Sequence, residues 1–299
     1  LCLKIEEKLK RKIAFIINPI SGGINKNDFP GLVHQYLDVN KFEPHLFFTQ
    51  STEHNKQLAK ACVDQQYDII IAVGGDGTIN NTAAAVVGSP CIFGIIPQGS
   101  GNGLARHLNI SSNVVEALKI INQSKYATID TGIANGVFFI NVAGVGFDAH
   151  VSWLFAQAPK RGFWQYAKIT FKQFAQYKPR TYQLNIDGKH NQVNAFIICA
   201  ANGSQYGNNA YIAPLAIIND GEFEITIIKP FNIFQAIPLA YHLFNKTLHK
   251  SSRISILSGK HITINRGVNE VMNIDGEACE TKQQIDISMN PASLKVIVP

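Results

Sequence analysis

This sequence is short of charge. Only 16% of its 299 residues are Asp, Glu, Lys or Arg, against 46% hydrophobic. That balance excludes a disordered chain and implies ample core. Cysteine is sparse: Cys2, Cys62, Cys91, Cys199 and Cys279 are scattered, and none falls in a CxxC pair. No disulfide framework or thiolate zinc site is expected, and a reduced, cytoplasmic protein is. No apolar run reaches the ~18 residues of a membrane span. Residues 1–8 lack the long apolar core of a signal peptide. A Walker A lysine motif is missing too, which excludes P-loop chemistry. What the chain does have is excess positive charge, a net +6. An anionic partner follows, whether nucleotide, nucleic acid or acidic membrane surface.

The first third alternates between short apolar runs and helical patterns. Runs at 12–17, 44–49, 68–73 and 91–96 read as buried strands. Helical patterns over 29–38, 53–66, 79–87 and 112–122 separate them, with a further helix opening at Leu104. Such alternation predicts a parallel sheet covered on both faces. From about residue 127 the texture changes to short runs at 137–143, 182–186, 195–200, 222–228, 253–257 and 261–264. Several alternate at period two, the mark of antiparallel strands. Helical patterns at 160–177 and 231–247 interrupt them, and 294–298 is a last strand. The expected organisation is an α/β domain over 1–128, to which the end of the chain (290–299) returns. A mostly antiparallel β-sandwich domain is expected over 129–289.

Three strand exits are glycine-rich. Asn18-Pro19-Ile20-Ser21-Gly22-Gly23 follows the first strand and Gly74-Gly75-Asp76-Gly77-Thr78 the third. Pro97-Gln98-Gly99-Ser100-Gly101-Asn102-Gly103 follows the fourth. If the strands are parallel, all three exits meet at the carboxyl edge of the sheet, where open α/β sheets bind ligands. Bare backbone there lets N–H groups approach phosphate oxygens, and helix starts add a dipole that favours anions. One such loop is an ordinary tight turn as often as a site. Three on one edge describe a polyphosphate cradle, with Asn18, Thr78, Ser100 and Asn102 adding side-chain donors and acceptors.

These motifs, with Gly-Leu-Ala-Arg at 103–106 and Asp275-Gly276-Glu277 near the end, resemble the diacylglycerol kinase catalytic-domain family. That family includes bacterial soluble lipid kinases and sphingosine kinases, and the likeness runs in order over roughly 12–299. It implies an ATP-dependent phosphotransferase acting on a lipid hydroxyl at the membrane surface, with Mg²⁺ and no nucleic acid. The fold implied is a phosphofructokinase- and NAD kinase-like nucleotide domain beside a β-sandwich, with the active site between them. A homodimer is compatible with this.

The resemblance assigns residues. Asn18, Ser21, Gly22, Thr49, Gly74, Gly75, Asp76, Gly77, Thr78, Ser100, Gly101, Asn102 and Glu277 would bind ATP. Asp275 resembles the general base, Glu277 would hold Mg²⁺ or orient that aspartate, and Asp76 is a rival base. Asp130, Asp148, Lys160 and Arg161 would position substrate or phosphate. Asp220 sits in what resembles a structural metal loop, but Ile217 stands where an acidic ligand is expected. Asn81 replaces a frequent glutamate and Gly23 a frequent lysine, leaving Lys26 as the nearest cation. Two other readings therefore stay open: a NAD-kinase-like enzyme with a soluble acceptor, and a catalytically silent nucleotide- or lipid-binding protein. Diacylglycerol, a sphingoid base and other lipid alcohols all fit as acceptor. The 160–177 helix places Phe163, Ala167, Thr170, Phe174 and Tyr177 on one face and Arg161, Lys168 and Lys172 opposite. That pattern suits a membrane surface or, more commonly, core packing with a solvated basic face.

Overall fold

The computed structural model describes residues 10–23, 28–159 and 163–299. The first part runs β1 (Arg11–Ile17), α1 (Phe29–Tyr36), β2 (Phe42–Phe48), α2 (Thr52–Asp64) and β3 (Ile69–Gly74). It continues through α3 (Asp76–Val86), β4 (Ile92–Pro97), α4 (Gly103–His107) and α5 (Val114–Gln123). Strands β2, β1, β3 and β4 lie side by side in that order, all parallel. Their apolar runs are continuous because both faces are covered. In β1 and β3, Ile13, Phe15, Ile17, Ile69, Ile71 and Val73 enter one core while Ala14, Ile16, Ile70 and Ala72 enter the other.

The second part opens with β5 (Tyr126–Ala134), β6 (Val137–Phe139), β7 (Val142–Gly146), α6 (Phe147–Ala156) and α7 (Phe163–Phe174). Then come β8 (Arg180–Ile186), β9 (Lys189–Ala195), β10 (Ile197–Ala201), β11 (Phe223–Ile228) and α8 (Ile233–Phe244). The chain ends with β12 (Ile254–Gly259), β13 (His261–Asn265), β14 (Glu270–Ile274), β15 (Glu277–Thr281) and β16 (Gln284–Ile297). A six-stranded antiparallel sheet, ordered β12-β11-β10-β7-β14-β15, packs on β8, β13 and β16 through alternate residues such as Tyr182, Ile264, Ile287, Ile225 and Met272. This is the β-sandwich. A further apolar cluster, with Phe147, Phe196, Leu239 and Leu248, lies on the outer side of the six-stranded sheet under α6, α7 and α8.

Two features depart from the sequence reading. The two domains do not have wholly separate sheets, because β16, 14 residues long, runs through both. Its start pairs antiparallel with β13, and after a register shift between Asn290 and Leu294, Val296 pairs parallel with Phe93 of β4. The result is one sheet of ten strands, joined by four parallel and five antiparallel pairings. Second, the strand expected over 137–143 is broken at Ile140 and Asn141. There the N–H groups of Ile140, Asn141 and Val142 all turn to the Asp275 carboxylate instead of a neighbouring strand.

Candidate active site

Parallel pairing of β1, β3 and β4 brings the three glycine-rich exits together. Gln98 N–H donates to the Gly74 carbonyl at 2.7 Å, and Asn18 N–H to the Val73 carbonyl at 3.0 Å. The loops touch through backbone: a Cβ on Gly99 would lie 2.5 Å from the Gly75 Cα. Asn18 Nδ2 donates to Thr78 Oγ1 at 3.2 Å, tying the first exit to the second.

Between these loops and α2 lies a cavity of about 480 Å³. Asn18, Ser21, Thr49, Gly75, Gly77, Thr78 and Glu277, all expected from sequence, are in its wall. So are Gln50, Ser51, Thr52, Asn55 and Asn81, which the expected nucleotide set does not include. The signal for Ser51 and Thr52 was present: Ser51 caps α2, its Oγ accepting from His54 N–H at 3.1 Å. The N-terminus of that 13-residue helix therefore opens on the cavity and favours an anion there. Among the described residues no lysine or arginine lines the wall. Backbone N–H groups and helix dipoles are what this cradle offers to phosphate.

The rest of the expected nucleotide set stands behind the wall. Asp76 begins α3, yet its carboxylate faces the third loop, where Oδ2 accepts from Asn102 N–H at 2.8 Å and Oδ1 from Gly103 N–H at 2.9 Å. Burial pushes its carboxyl up, and those backbone donors and the Arg106 charge oppose the push. Asn102, at φ +54°, folds its side chain onto Gly99, accepting from its N–H and donating to its carbonyl. The Gly101 carbonyl accepts from Arg106 Nε at 3.0 Å. Ser100, Gly101, Gly22 and Gly74 shape the loops without entering the wall.

Glu277 crosses from the other sheet. At the start of β15, its Oε1 would lie 2.9 Å from a Cβ on Gly77. Immediately before it, Asp275 (φ +48°) and Gly276 (φ +90°) form the turn of the β14–β15 hairpin. Paired left-handed residues suit a two-residue hairpin turn. The Asp275 carboxylate is buried and receives four N–H donors. Asn80 Nδ2 (2.6 Å) and Ile140 N–H (2.8 Å) reach Oδ2, while Asn141 N–H (3.0 Å) and Val142 N–H (2.8 Å) reach Oδ1. Burial pushes its carboxyl above the ordinary range against those donors. Asn80, beside the Asn81 noted in the sequence, is the link that sequence reasoning missed.

A second buried carboxylate joins the same turn. Asp148 Oδ2 accepts from Tyr206 Oη at 3.1 Å and Asn273 Nδ2 at 3.2 Å, and burial lifts it to about 6. Its Oδ1 has no partner among the described residues. Asn273 Oδ1 in turn accepts from Gly276 N–H at 3.0 Å, so one amide spans Asp148 and the Asp275 turn. Asp130 sits elsewhere: its oxygens accept from Ala292 N–H (2.6 Å) and Gly221 N–H (2.7 Å), clamping two loops. Lys160, Arg161 and Lys26 lie outside the described residues.

For a metal the donor set is lean. Among the described residues no three His, Cys, Asp or Glu gather to hold an ion. Asp220 is exposed, with Oδ1 accepting from Glu222 N–H at 3.1 Å. Mg²⁺, however, usually takes one or two carboxylates and completes its octahedron with phosphates and water. Glu277, the carboxylate of the described wall, fits that pattern. A cage built wholly from protein ligands does not fit.

Comparison with known proteins bears on both halves. Residues 12–134 match the family model of the diacylglycerol kinase catalytic domain. Residues 141–298 match that of the YegS C-terminal NAD kinase beta sandwich-like domain. A diacylglycerol kinase of Staphylococcus saprophyticus is 24% identical over 277 residues, covering 90% of each chain. One from Bacillus subtilis is 26% identical over 273 residues, covering 89% of this chain and 90% of that one. The fold is shared with a solved diacylglycerol kinase from Bacillus anthracis, at TM-score 0.74 and 18% identity over 97% of each chain.

Proposed function

The chain belongs to the diacylglycerol kinase catalytic-domain family, and from that premise we propose that it transfers the γ-phosphoryl group of ATP to the hydroxyl of a membrane lipid, diacylglycerol or a sphingoid base. The observation that carries the reading is the first turn of α3. Gly77 and Thr78 face the cavity there, while Asn80, two residues on, holds the Asp275 carboxylate. One helix thus touches both the cavity and the candidate base, through residues two apart.

Phosphoryl transfer asks a protein mainly for positioning and electrostatic stabilisation. The exits at 18–23 and 74–78 and the α2 N-terminus hold the triphosphate, and the exit at 97–103 packs behind them. Glu277 would hold Mg²⁺ bound with the nucleotide, which would supply charge neutralisation on the phosphates. Asp275 takes the proton of the lipid hydroxyl as its oxygen bonds to the γ-phosphorus and the bond to the β-bridging oxygen breaks. All four acceptor positions of a carboxylate are filled at Asp275, and Asn80 supplies the one side-chain donor, so the hydroxyl enters by replacing the Asn80 amide. The carboxyl lifted by burial is a better base than an exposed aspartate. Asp76 acts one step removed, fixing the third loop on the second. Asp148, bridged to the Asp275 turn through Asn273, would face the acceptor.

Labelled ATP offered with mixed micelles of candidate lipids tests this. A lipid product heavier by one phosphate is expected, and Asp275→Asn should lower turnover about 10²–10⁴-fold with ATP affinity nearly unchanged. Unchanged turnover would remove Asp275 as base, and phosphorylation of soluble acceptors alone would reject the lipid assignment.

A further inference from the structure

Helix α8 is apolar on both sides. Its inner side, through Leu239 and Leu243, packs into the cluster on the outside of the six-stranded sheet. Its outer side presents Ile233, Phe234, Ile237, Tyr241 and Phe244, with Phe234 83%, Ile237 74% and Tyr241 65% exposed. A helix apolar all round is normally buried, and a contiguous exposed apolar face marks a docking surface.

Charge says what covers it. Between Glu224 and Glu270 the chain has no Asp or Glu, while Lys229, Lys246, Lys250 and Arg253 bracket the helix. Helix α7, seated on the same cluster through Ile169 and Phe174, lies in a second stretch without carboxylates, between Asp148 and Asp187. Its outer side is not simply a solvated basic face, because Trp164 and Phe171 stand exposed beside Lys168 and Lys172. Apolar side chains within a cationic rim match an anionic bilayer, whose acyl region takes the first and whose headgroups attract the second.

The face is also tied to the site. Tyr211 N–H donates to the Leu243 carbonyl at 2.9 Å, and Lys246 Nζ lies 5.7 Å from the Tyr211 ring centroid. Three residues before Tyr211, Asn208 N–H donates to the Gly101 carbonyl of the third glycine-rich loop at 3.3 Å.

We propose that the outer face of α8, with Trp164 and Phe171 of α7, inserts into the interfacial layer of an anionic lipid bilayer and holds the enzyme at the surface that contains its acceptor. This rests on the lipid kinase reading for the acceptor, but not for the binding itself.

The test is co-sedimentation of the full chain with vesicles of phosphatidylcholine alone and of phosphatidylcholine mixed with phosphatidylglycerol. Binding is expected to the mixed vesicles, weakening with salt. The double substitution Phe234→Ser with Ile237→Ser should lower it about tenfold or more. Turnover on a short-chain, water-dispersed diacylglycerol should stay at the level of the parent. Phe234→Gln alone serves if the double variant fails to fold. Vesicle binding that survives the substitutions would overturn the proposal. So would a parent dimer, seen by sedimentation equilibrium, that the substitutions dissociate without loss of vesicle binding. Vesicle binding through α8 without any lipid phosphorylation would reject the kinase reading and leave the docking face standing.

Discussion

Asn80 Nδ2 lies 2.6 Å from Asp275 Oδ2, a hydrogen bond between residues 195 apart in the sequence. It joins the helix that begins at the cavity wall to the hairpin turn of the opposite sheet. The other three donors to Asp275 are consecutive backbone N–H groups at the break between β6 and β7. The carboxylate is therefore held by one displaceable partner and three fixed ones.

Removing the displaceable partner has a signed consequence. Asn80→Ala takes away a donor that stabilises the ionised carboxylate, so the Asp275 carboxyl rises further. The ascending limb of the pH profile of kcat/KM for the lipid, which reports the free enzyme, should move to higher pH, with the ATP KM held. A profile that does not move would separate Asn80 from the base.

The cradle depends on backbone contact between its loops. Gly99→Ala places a Cβ 2.5 Å from the Gly75 Cα, where no flexible side chain can give way. ATP affinity, measured by calorimetry, should fall by an order of magnitude or more, about 1.4 kcal/mol per factor of ten. Gly88→Ala is a useful comparison, since its φ of +74° strains the backbone while nothing crowds the new Cβ. It should lower stability and leave ATP binding intact.

Asp130 distinguishes clamping from phosphate positioning. Asp130→Ala strands the N–H groups of Gly221 and Ala292, at about 1–3 kcal/mol for each that stays unsatisfied. A lower urea midpoint with unchanged ATP KM is expected. The reverse pattern would return Asp130 to the phosphate site.

Burial lifts Glu224 to about 7, against a smaller opposing pull from the Leu215 N–H, and Asp148 to about 6. Both carboxyls are raised in the folded state, so folding favours their protonated forms. Their stabilising contribution is complete below the unfolded values of 4.5 and 3.8. It is lost as pH rises through about 6 for Asp148 and about 7 for Glu224. Thermal midpoints should fall between about pH 4 and pH 7, and Glu224→Gln should flatten that slope. A slope unchanged by the substitution would assign it to other groups.

The parallel half of the fold and the meeting of its glycine-rich exits were legible in the sequence, because local rules govern both. Buried parallel strands write themselves as unbroken apolar runs, and loops that must touch through backbone write themselves as glycine. Parallel pairing then carries Asn18, Gly75 and Thr78 to one edge without further information. What only the tertiary structure decided rests on long-range partners. The sequence returns residues 290–299 to the α/β domain. No local pattern showed that the same strand, β16, would also carry β13, or that β6 and β7 would break to surround Asp275. Nor did it show that Asp76 and Asp130 would turn to backbone N–H groups. A side chain's hydrogen bonds are set by which backbone groups packing leaves unpaired nearby, and that is a property of the assembled chain. The exposed face of α8 belongs to the same class, because only the packed structure left one side of that helix uncovered.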